Sequence, residues 1–329
     1  MKVLITGGAG YIGSTVASAC EDAGHDVVIL DDFSTGRREF IGERPLYEGD
    51  IADDSLLDRL LREQRIDAVV HCAAKIIVPE SVSKPLAYYE NNVAKTVTLL
   101  AALQRNGVER FLFSSSASIY APDENFVVTE DSPLQPGSPY ARTKFMVELI
   151  LEDFTRASDV RVASLRYFNP IGTDPKLRSG QQLEKPSHVL AKLLEAWVNK
   201  ETFTVTGVDW PTRDGSGIRD FIHVWDLARA HVAALEHFDE ATATDPYQVF
   251  NIGTGNGVTV KELAASFEKI TGDPLKVRFG DPRPGDVAGV YTVSTKAKDV
   301  LGWKAELTET DAVRDAIAWL PVRKEKLGY

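Results

Sequence analysis

The chain has 329 residues, 43% hydrophobic and 26% charged, the balance of a soluble globular protein with room for about two domains of core. Its 37 basic and 48 acidic residues leave a formal net charge of −11, which argues against a general nucleic-acid or membrane surface while permitting a local basic site for an anion. The opening apolar run is too short for a signal peptide, no run approaches the roughly eighteen residues of a membrane span, and two cysteines, Cys20 and Cys72, make no disulfide framework, so a cytoplasmic protein is expected.

The first half alternates β-branched runs with helical patterns. Strands are predicted at Lys2–Thr6, Asp26–Leu30, Pro45–Glu48, Ala68–His71, Arg110–Ser114 and Val160–Arg166, with helices near 11–23, 54–64, 85–105 and 139–157. That alternation predicts an α/β fold, a doubly wound parallel sheet of Rossmann type with ligands at the carboxyl ends of its strands. After Arg166 the character changes. Residues 169–186 read as a long loop, followed by a helix near 188–200, a strand at Thr202–Val205 and an extended run at Ile218–His223. Further helices are predicted near 224–238, 259–271, 295–301 and 308–320, with a strand at Val249–Ile252. The division expected is a dinucleotide-binding domain over 1–169 and a smaller α+β substrate lobe over 170–329, some of whose segments return to the first sheet.

Gly7, Gly10 and Gly13 lie between the first strand and the first helix. Glycines at that spacing let a strand turn sharply while a pyrophosphate lies against bare backbone at a helix start. Asp31 ends the second strand, eighteen residues beyond Gly13, near the spacing at which a carboxylate takes the ribose hydroxyls of NAD. Arg37 and Arg38 keep NADP open as a minor alternative. Asp50-Ile51, at the end of the third strand, serves either an adenine contact or a plain helix cap.

Tyr140 and Lys144 are four apart at the start of a helical pattern, which places them one turn apart on one face. A tyrosine of pKa about 10 is a poor base, and a neighbouring ammonium together with an oxidised nicotinamide would favour its phenolate. The hydroxyls of Ser114-Ser115-Ser116, at the end of the fifth strand, stand where one could relay a proton to that phenol.

Taken together, Gly7/Gly10/Gly13, Asp31, the serine triplet and Tyr140/Lys144 resemble the extended short-chain dehydrogenase/reductase superfamily. Within it the chain is most similar to the UDP-glucose 4-epimerase family. The likeness rests on Gly-Gly-Ala-Gly-Tyr-Ile-Gly-Ser at 7–14, Pro-Leu-Ala-Tyr-Tyr-Glu-Asn-Asn-Val at 85–93, Phe-Ser-Ser-Ser at 113–116 and Ser-Pro-Tyr at 138–140. It continues with Leu-Arg-Tyr-Phe-Asn-Pro at 165–170 and Arg-Asp-Phe-Ile-His-Val at 219–224. The resemblance implies interconversion of UDP-glucose and UDP-galactose through a 4-keto sugar, with tightly held NAD taking and returning one hydride. It implies Tyr140 as base, Ser116 as relay and Lys144 on the nicotinamide ribose. To the cofactor it assigns Gly7, Gly10, Tyr11, Ile12, Gly13, Asp31, Asp32, Phe33, Ser34, Thr35, Gly36, Asp50, Ile51, Cys72, Ala73, Ala74, Lys75, Asn91, Ser114, Tyr140, Lys144, Tyr167 and Phe168. To the UDP-sugar it assigns Ser116, Tyr140, Asn169, His188, Arg219, Val290, Arg283 and Asp286. No metal is expected, and a homodimer is the family expectation.

Four positions depart from the family pattern. Lys75-Ile76 stands where Leu-Lys is usual, His188 stands where an Asn is usual, and the 174–186 loop lacks the Gly- and Asn-rich form. The residue limiting the sugar pocket is Val290 or, with a shift of one, Tyr291. A 4,6-dehydratase or decarboxylase would need a carboxylate two residues before Tyr120, where this chain has Ser118. A 4-epimerase of another UDP-sugar and a non-catalytic dinucleotide sensor are the remaining alternatives, and the sensor would not need the Ser116/Tyr140/Lys144 set.

Overall fold

A computed structural model gives the structure, which describes residues 1–121, 123–186, 188–282 and 286–329. In chain order the first half runs β1 (Lys2–Thr6), α1 (Tyr11–Asp22), β2 (Asp26–Asp31), β3 (Leu46–Glu48), α2 (Asp54–Gln64), β4 (Ala68–His71), α3 (Val78–Ser83), α4 (Pro85–Tyr89), α5 (Lys95–Arg105), β5 (Arg110–Ser114), β6 (Val127–Val128), α6 (Pro139–Ala157) and β7 (Arg161–Tyr167). There follow β8 (Asn169–Ile171), α7 (Val189–Asn199), β9 (Thr202–Thr206), β10 (Ile218–His223), α8 (Val224–Glu236), α9 (Phe238–Ala241), β11 (Tyr247–Ile252), β12 (Gly257–Thr259), α10 (Val260–Thr271), β13 (Lys276–Gly280), β14 (Tyr291–Thr292), α11 (Lys296–Leu301) and α12 (Glu309–Leu327).

Seven strands form one parallel sheet in the order β11-β7-β5-β4-β1-β2-β3. The order reverses at β1, so a crevice opens between the carboxyl ends of β1 and β4, where doubly wound sheets bind ligands. Both faces are covered by apolar clusters, which is why these strands read as nearly continuous Val, Ile, Leu and Phe. Helix starts follow the sequence chemistry. Asp53 caps α2 through Leu56 N, Ser138 caps α6 with Pro139 in its first turn, and Thr259 with Glu262 forms a capping box on α10.

The smaller assembly after β7 holds its own apolar cluster, in which Leu193, Phe203, Phe221, Phe267 and Val313 meet. There β10 runs parallel to β8 and antiparallel to β12, so β8 lies inside the segment read from sequence as loop.

Two further expectations change. The helical run over 85–105 is interrupted by a π-helical turn at Glu90–Ala94, whose extra residue turns Asn92 into the interior. The last helix runs on to Leu327 through Pro321 instead of stopping near 320. Proline removes a helical N–H, but here side chains on both sides of it are anchored: Trp319 is buried, and Arg323 and Lys326 donate to backbone carbonyls of the 178–183 loop.

Candidate active site

The glycine loop lies in the crevice at the end of β1. Gly7 has φ +71°, and a Cβ there would fall 2.7 Å from Ala73 N; a Cβ on Gly13 would fall 2.2 Å from the Gly7 carbonyl. Neither position has room for a side chain, so loop, helix and the Cys72-Ala73-Ala74 segment close to backbone contact. α1 then begins at Gly10 with no side-chain cap and no acidic residue in its first turn. Its N–H groups around Tyr11, Ile12 and Gly13 are left for an anion, the arrangement suited to a pyrophosphate.

Asp31 ends β2 beside this loop. Its buried carboxylate accepts from Ala9 N at 2.9 Å and Phe33 N at 2.8 Å, and burial raises its pKa against those two bonds. Asp32 is exposed and accepts from Ser34 N, Phe33 takes a positive φ of 57°, and Gly36 packs against Ala9 and Asp31, so Asp31–Gly36 forms one tight turn. The two arginines that kept NADP open are engaged elsewhere. Arg38 pairs with Glu48 at 2.6 Å over the Phe33 ring, and Arg37 Nε donates to the Tyr329 hydroxyl at 3.0 Å. The cap reading of Asp50 is corrected: Asp53 holds that position, and Asp50 accepts from Ala52 N and pairs with Lys95, while Ile51 is core.

The catalytic candidates meet across the end of β5. Tyr140 and Lys144 share the inner face of α6, both buried. The Tyr140 phenol faces Ser116, whose hydroxyl oxygen accepts from Ser118 N at 3.2 Å. Lys144 Nζ donates to the Ser114 carbonyl at 2.7 Å and lies 4.8 Å from the Phe113 ring centroid. Burial presses its pKa down to about 8. Burial also raises the Tyr140 pKa, opposed by Ser116 alone. The ammonium itself is turned to the Ser114 carbonyl.

Cys72, whose thiol is pushed up to about 11 by burial, lies 3.3 Å from the Ser114 hydroxyl. Tyr167 lies beside this group, and burial pushes its phenol pKa up. Lys75 is exposed, but its backbone N–H and carbonyl are both held by Asn92, which also donates to Thr143 on α6; Asn91 donates to Asn92.

The sugar-side candidates approach from the second assembly. Phe168 packs with Ala117, Tyr120 and Val128, and Val290 joins that cluster, whereas the Tyr291 ring lies against Gly257. Of the two candidates for limiting the pocket, Val290 is the one beside the serine segment. Asn169 is exposed at the head of β8, in register with Phe221. Arg219 donates to the carbonyls of Ile218, Val287 and Ala288, which ties β10 to the segment that leads from Asp286 to Val290. Arg283 lies outside the described residues. His188 stacks on Tyr11 at 6.4 Å, and both its ring nitrogens are buried without a partner among the described residues; burial lowers its pKa to about 4. His188 thus brings the start of α7 against α1, where the Tyr11 hydroxyl also donates to the carbonyl of Gly172, just after β8, at 2.7 Å.

Two groups of supporting residues were not singled out from sequence. Glu148, one turn beyond Lys144, is buried against Arg166 and Ser115. Asp220, fully buried, accepts from Thr254, Gly255 and Thr292 and so fixes the loops around β14. Glu148 extends the four-residue spacing of Tyr140 and Lys144, a signal present in the sequence; Asp220 offered none beyond its place next to Arg219.

A glycine cradle at the switch point of a doubly wound sheet, with a buried Ser/Tyr/Lys set beside it, defines a dinucleotide-dependent enzyme acting on a hydroxyl-bearing substrate. The chain belongs to the NAD dependent epimerase/dehydratase family, whose model matches residues 3–253. It is 42% identical to the UDP-glucose 4-epimerase of Azospirillum brasilense, over 99% of this chain and 94% of that one, and 40% identical to the UDP-glucose 4-epimerase of Bacillus subtilis, over 97% and 96%. Its fold superposes with a TM-score of 0.93 on a UDP-glucose 4-epimerase from Stenotrophomonas maltophila with bound NAD and formylated UDP-arabinopyranose, at 36% identity and 99% coverage of both chains. The resemblance drawn from the sequence motifs is thus borne out.

Proposed function

We propose that the protein interconverts UDP-glucose and UDP-galactose, inverting C4 of the hexose through a 4-keto sugar. The residues present fit NAD: the cradle leaves no room for side chains at Gly7 and Gly13, α1 offers uncapped N–H groups, and Asp31 presents a carboxylate where a ribose suits it and an added phosphate does not. Bound NAD supplies the acceptor for hydride from C4 and the donor that returns it to the other face.

This chain's own residues manage the proton. Tyr140 takes it from the C4 hydroxyl with Ser116 as the adjoining hydroxyl, and gives it back when the alcohol re-forms. Burial makes the phenolate costly, so the proton is held on Tyr140 until a positive charge favours its loss. Lys144, anchored on Ser114, is placed for the nicotinamide ribose, and Asn169, His188, Arg219 and Asp286 for the UDP-sugar. In this division residues 1–169 mainly hold the cofactor and residues 170–329 the sugar nucleotide. The observation that carries the reading is the buried set of Ser116, Tyr140 and Lys144, the last anchored on the Ser114 carbonyl, at the mouth of the glycine cradle.

Purified protein is expected to carry NAD and to convert UDP-galactose to UDP-glucose with no added reductant. Bound NAD without turnover of UDP-galactose, UDP-N-acetylgalactosamine or UDP-galacturonate would replace this reading with the sensor. Ser118, where a dehydratase needs a carboxylate, is spent on Ser116 at 2.9 Å.

A homodimer is supported by apolar side chains left exposed on neighbouring helices: Leu86 of α4, Val97 of α5, and Met146 and Leu149 of α6. Light scattering should give twice the chain mass for the wild type and the chain mass for Leu86→Glu/Leu149→Glu. Among the described residues no helix is long and apolar enough to cross a membrane; a cytoplasmic location is supported by two cysteines that remain free.

A further inference from the structure

We propose that the Tyr329 phenol is a positioning group for cofactor retention, tying the 181–183 segment to the turn that holds the adenosine end of the dinucleotide. The inference rests on the reading of the 31–37 turn as that holder. Three successive backbone carbonyls, those of Gln181, Gln182 and Leu183, each accept a side-chain donor from α12 or from the chain just beyond it: Trp319 Nε1 at 3.1 Å, the Tyr329 hydroxyl, and Arg323 Nη2 at 2.6 Å. Lys326 Nζ adds the Arg178 carbonyl at 2.9 Å. The segment therefore takes its shape from α12, since these carbonyls find their partners on side chains and not in a helix or ladder of their own.

The same segment reaches the cofactor turn twice. Gln182 Nε2 donates to the Thr35 carbonyl at 3.3 Å, and the Tyr329 oxygen, while donating to Gln182, accepts from Arg37 Nε at 3.0 Å. A hydroxyl with one proton and two lone pairs can serve both partners at once. Two guanidiniums lie near its ring, Arg323 at 4.8 Å and Arg37 at 5.9 Å from the centroid, an attractive contact for each cation. Gln182 Oε1 is buried with no partner among the described residues, an acceptor of the kind a ribose hydroxyl satisfies. Retention matters in this reaction because a reduced cofactor that escapes strands the keto sugar. Opening the 31–37 turn requires breaking the Gln182 and Tyr329 bonds first.

Tyr329→Phe keeps the ring beside Arg323 and removes only the bridging hydroxyl. Bound NAD per chain, measured on denatured protein after timed dialysis, should fall about threefold to tenfold faster than in the wild type, and UDP-galactose turnover of the dialysed variant should return on adding NAD. Gln182→Leu should accelerate NAD loss in the same way. NAD loss at the wild-type rate in Tyr329→Phe overturns the proposal, as does loss of turnover that added NAD does not restore. Wild-type protein that holds NAD but turns over no UDP-hexose would instead count against the epimerase reading and leave the NAD-loss comparison decisive for Tyr329.

Discussion

α6 carries two buried charged centres one turn apart, and they are treated in opposite ways. Glu148 is surrounded: Arg166 donates to it through Nε and Nη2 at 3.0 and 2.6 Å, and Ser115 adds a hydroxyl at 2.5 Å. The guanidinium is completed by the Tyr120 hydroxyl at 3.0 Å. Tyr140 and Lys144 are equally buried, but the phenol has one serine hydroxyl and the ammonium one carbonyl and an aromatic face. A buried charge is held firmly when its lone pairs and protons are matched, and titrates easily when they are not. Glu148 and Arg166 thus hold α6 against β7, while Tyr140 and Lys144 are kept where a nearby positive charge decides who holds the proton.

The comparison breaks first at Tyr140. Tyr140→Phe preserves the packing and removes the proton carrier, so kcat for UDP-galactose should fall by at least about 10³-fold with bound NAD unchanged. Turnover near the wild-type rate would remove the phenol from the mechanism. Glu148→Ala is the matching change at the other centre. It strands a buried guanidinium and should lower unfolding free energy by about 3–5 kcal/mol in urea titrations, while protein that remains folded keeps kcat within a few-fold. If Glu148→Ala were stable and inactive, the two centres would have exchanged roles.

Lys144 sharpens the contrast through pH. Burial places its folded-state pKa at about 8, below the ordinary 10.5. Below pH 8 both folded and unfolded chains carry the proton, and the folded one bears the cost of burying it. Between about 8 and 10.5 the folded state has released a proton that the unfolded chain still binds, so this group's contribution to stability rises with pH. Lys144→Met should accordingly be more stable than the wild type at pH 7, with the advantage shrinking by pH 10. A difference that stays constant over that range would mean the ammonium is better satisfied than its contacts suggest.

What the sequence disclosed follows from how local each signal is. Gly7, Gly10, Gly13 and Asp31 form one strand–turn–helix–strand unit, and Tyr140 with Lys144 a single helical turn, so spacing alone places them. The Asn92 clamp on Lys75 was hidden because the 85–105 pattern reads as an unbroken helix and gives no sign of the π turn that points Asn92 inward. Asp220 draws donors from Thr254 and Thr292, and Tyr329 bonds to Arg37, contacts that exist only once separate elements have packed. The same tertiary contacts carry α12 through Pro321, where a rule about local backbone stops it. The displaced Lys75 and the choice between Val290 and Tyr291 turn on one-residue offsets, which a motif match does not resolve; in the fold the Tyr291 ring lies against Gly257 and Val290 lies with Ala117 and Phe168.

The smallest effect is expected within the serine triplet, and it separates three hydroxyls that look alike in sequence. Ser114 serves Lys144 through its carbonyl and touches Cys72 and His231 through its side chain; Ser115 faces Glu148; Ser116 faces Tyr140. Ser115→Ala removes one of several donors to a carboxylate that keeps its arginine. It should therefore lower unfolding free energy by only about 1–2 kcal/mol and leave kcat within twofold. Ser116→Ala removes the hydroxyl that faces the Tyr140 phenol, so its main cost should fall on kcat, with the pH at which turnover rises moved upward. The pair of measurements assigns adjacent serines to the two centres of α6; equal losses of kcat in both variants would show that the carboxylate and the phenol act as one network.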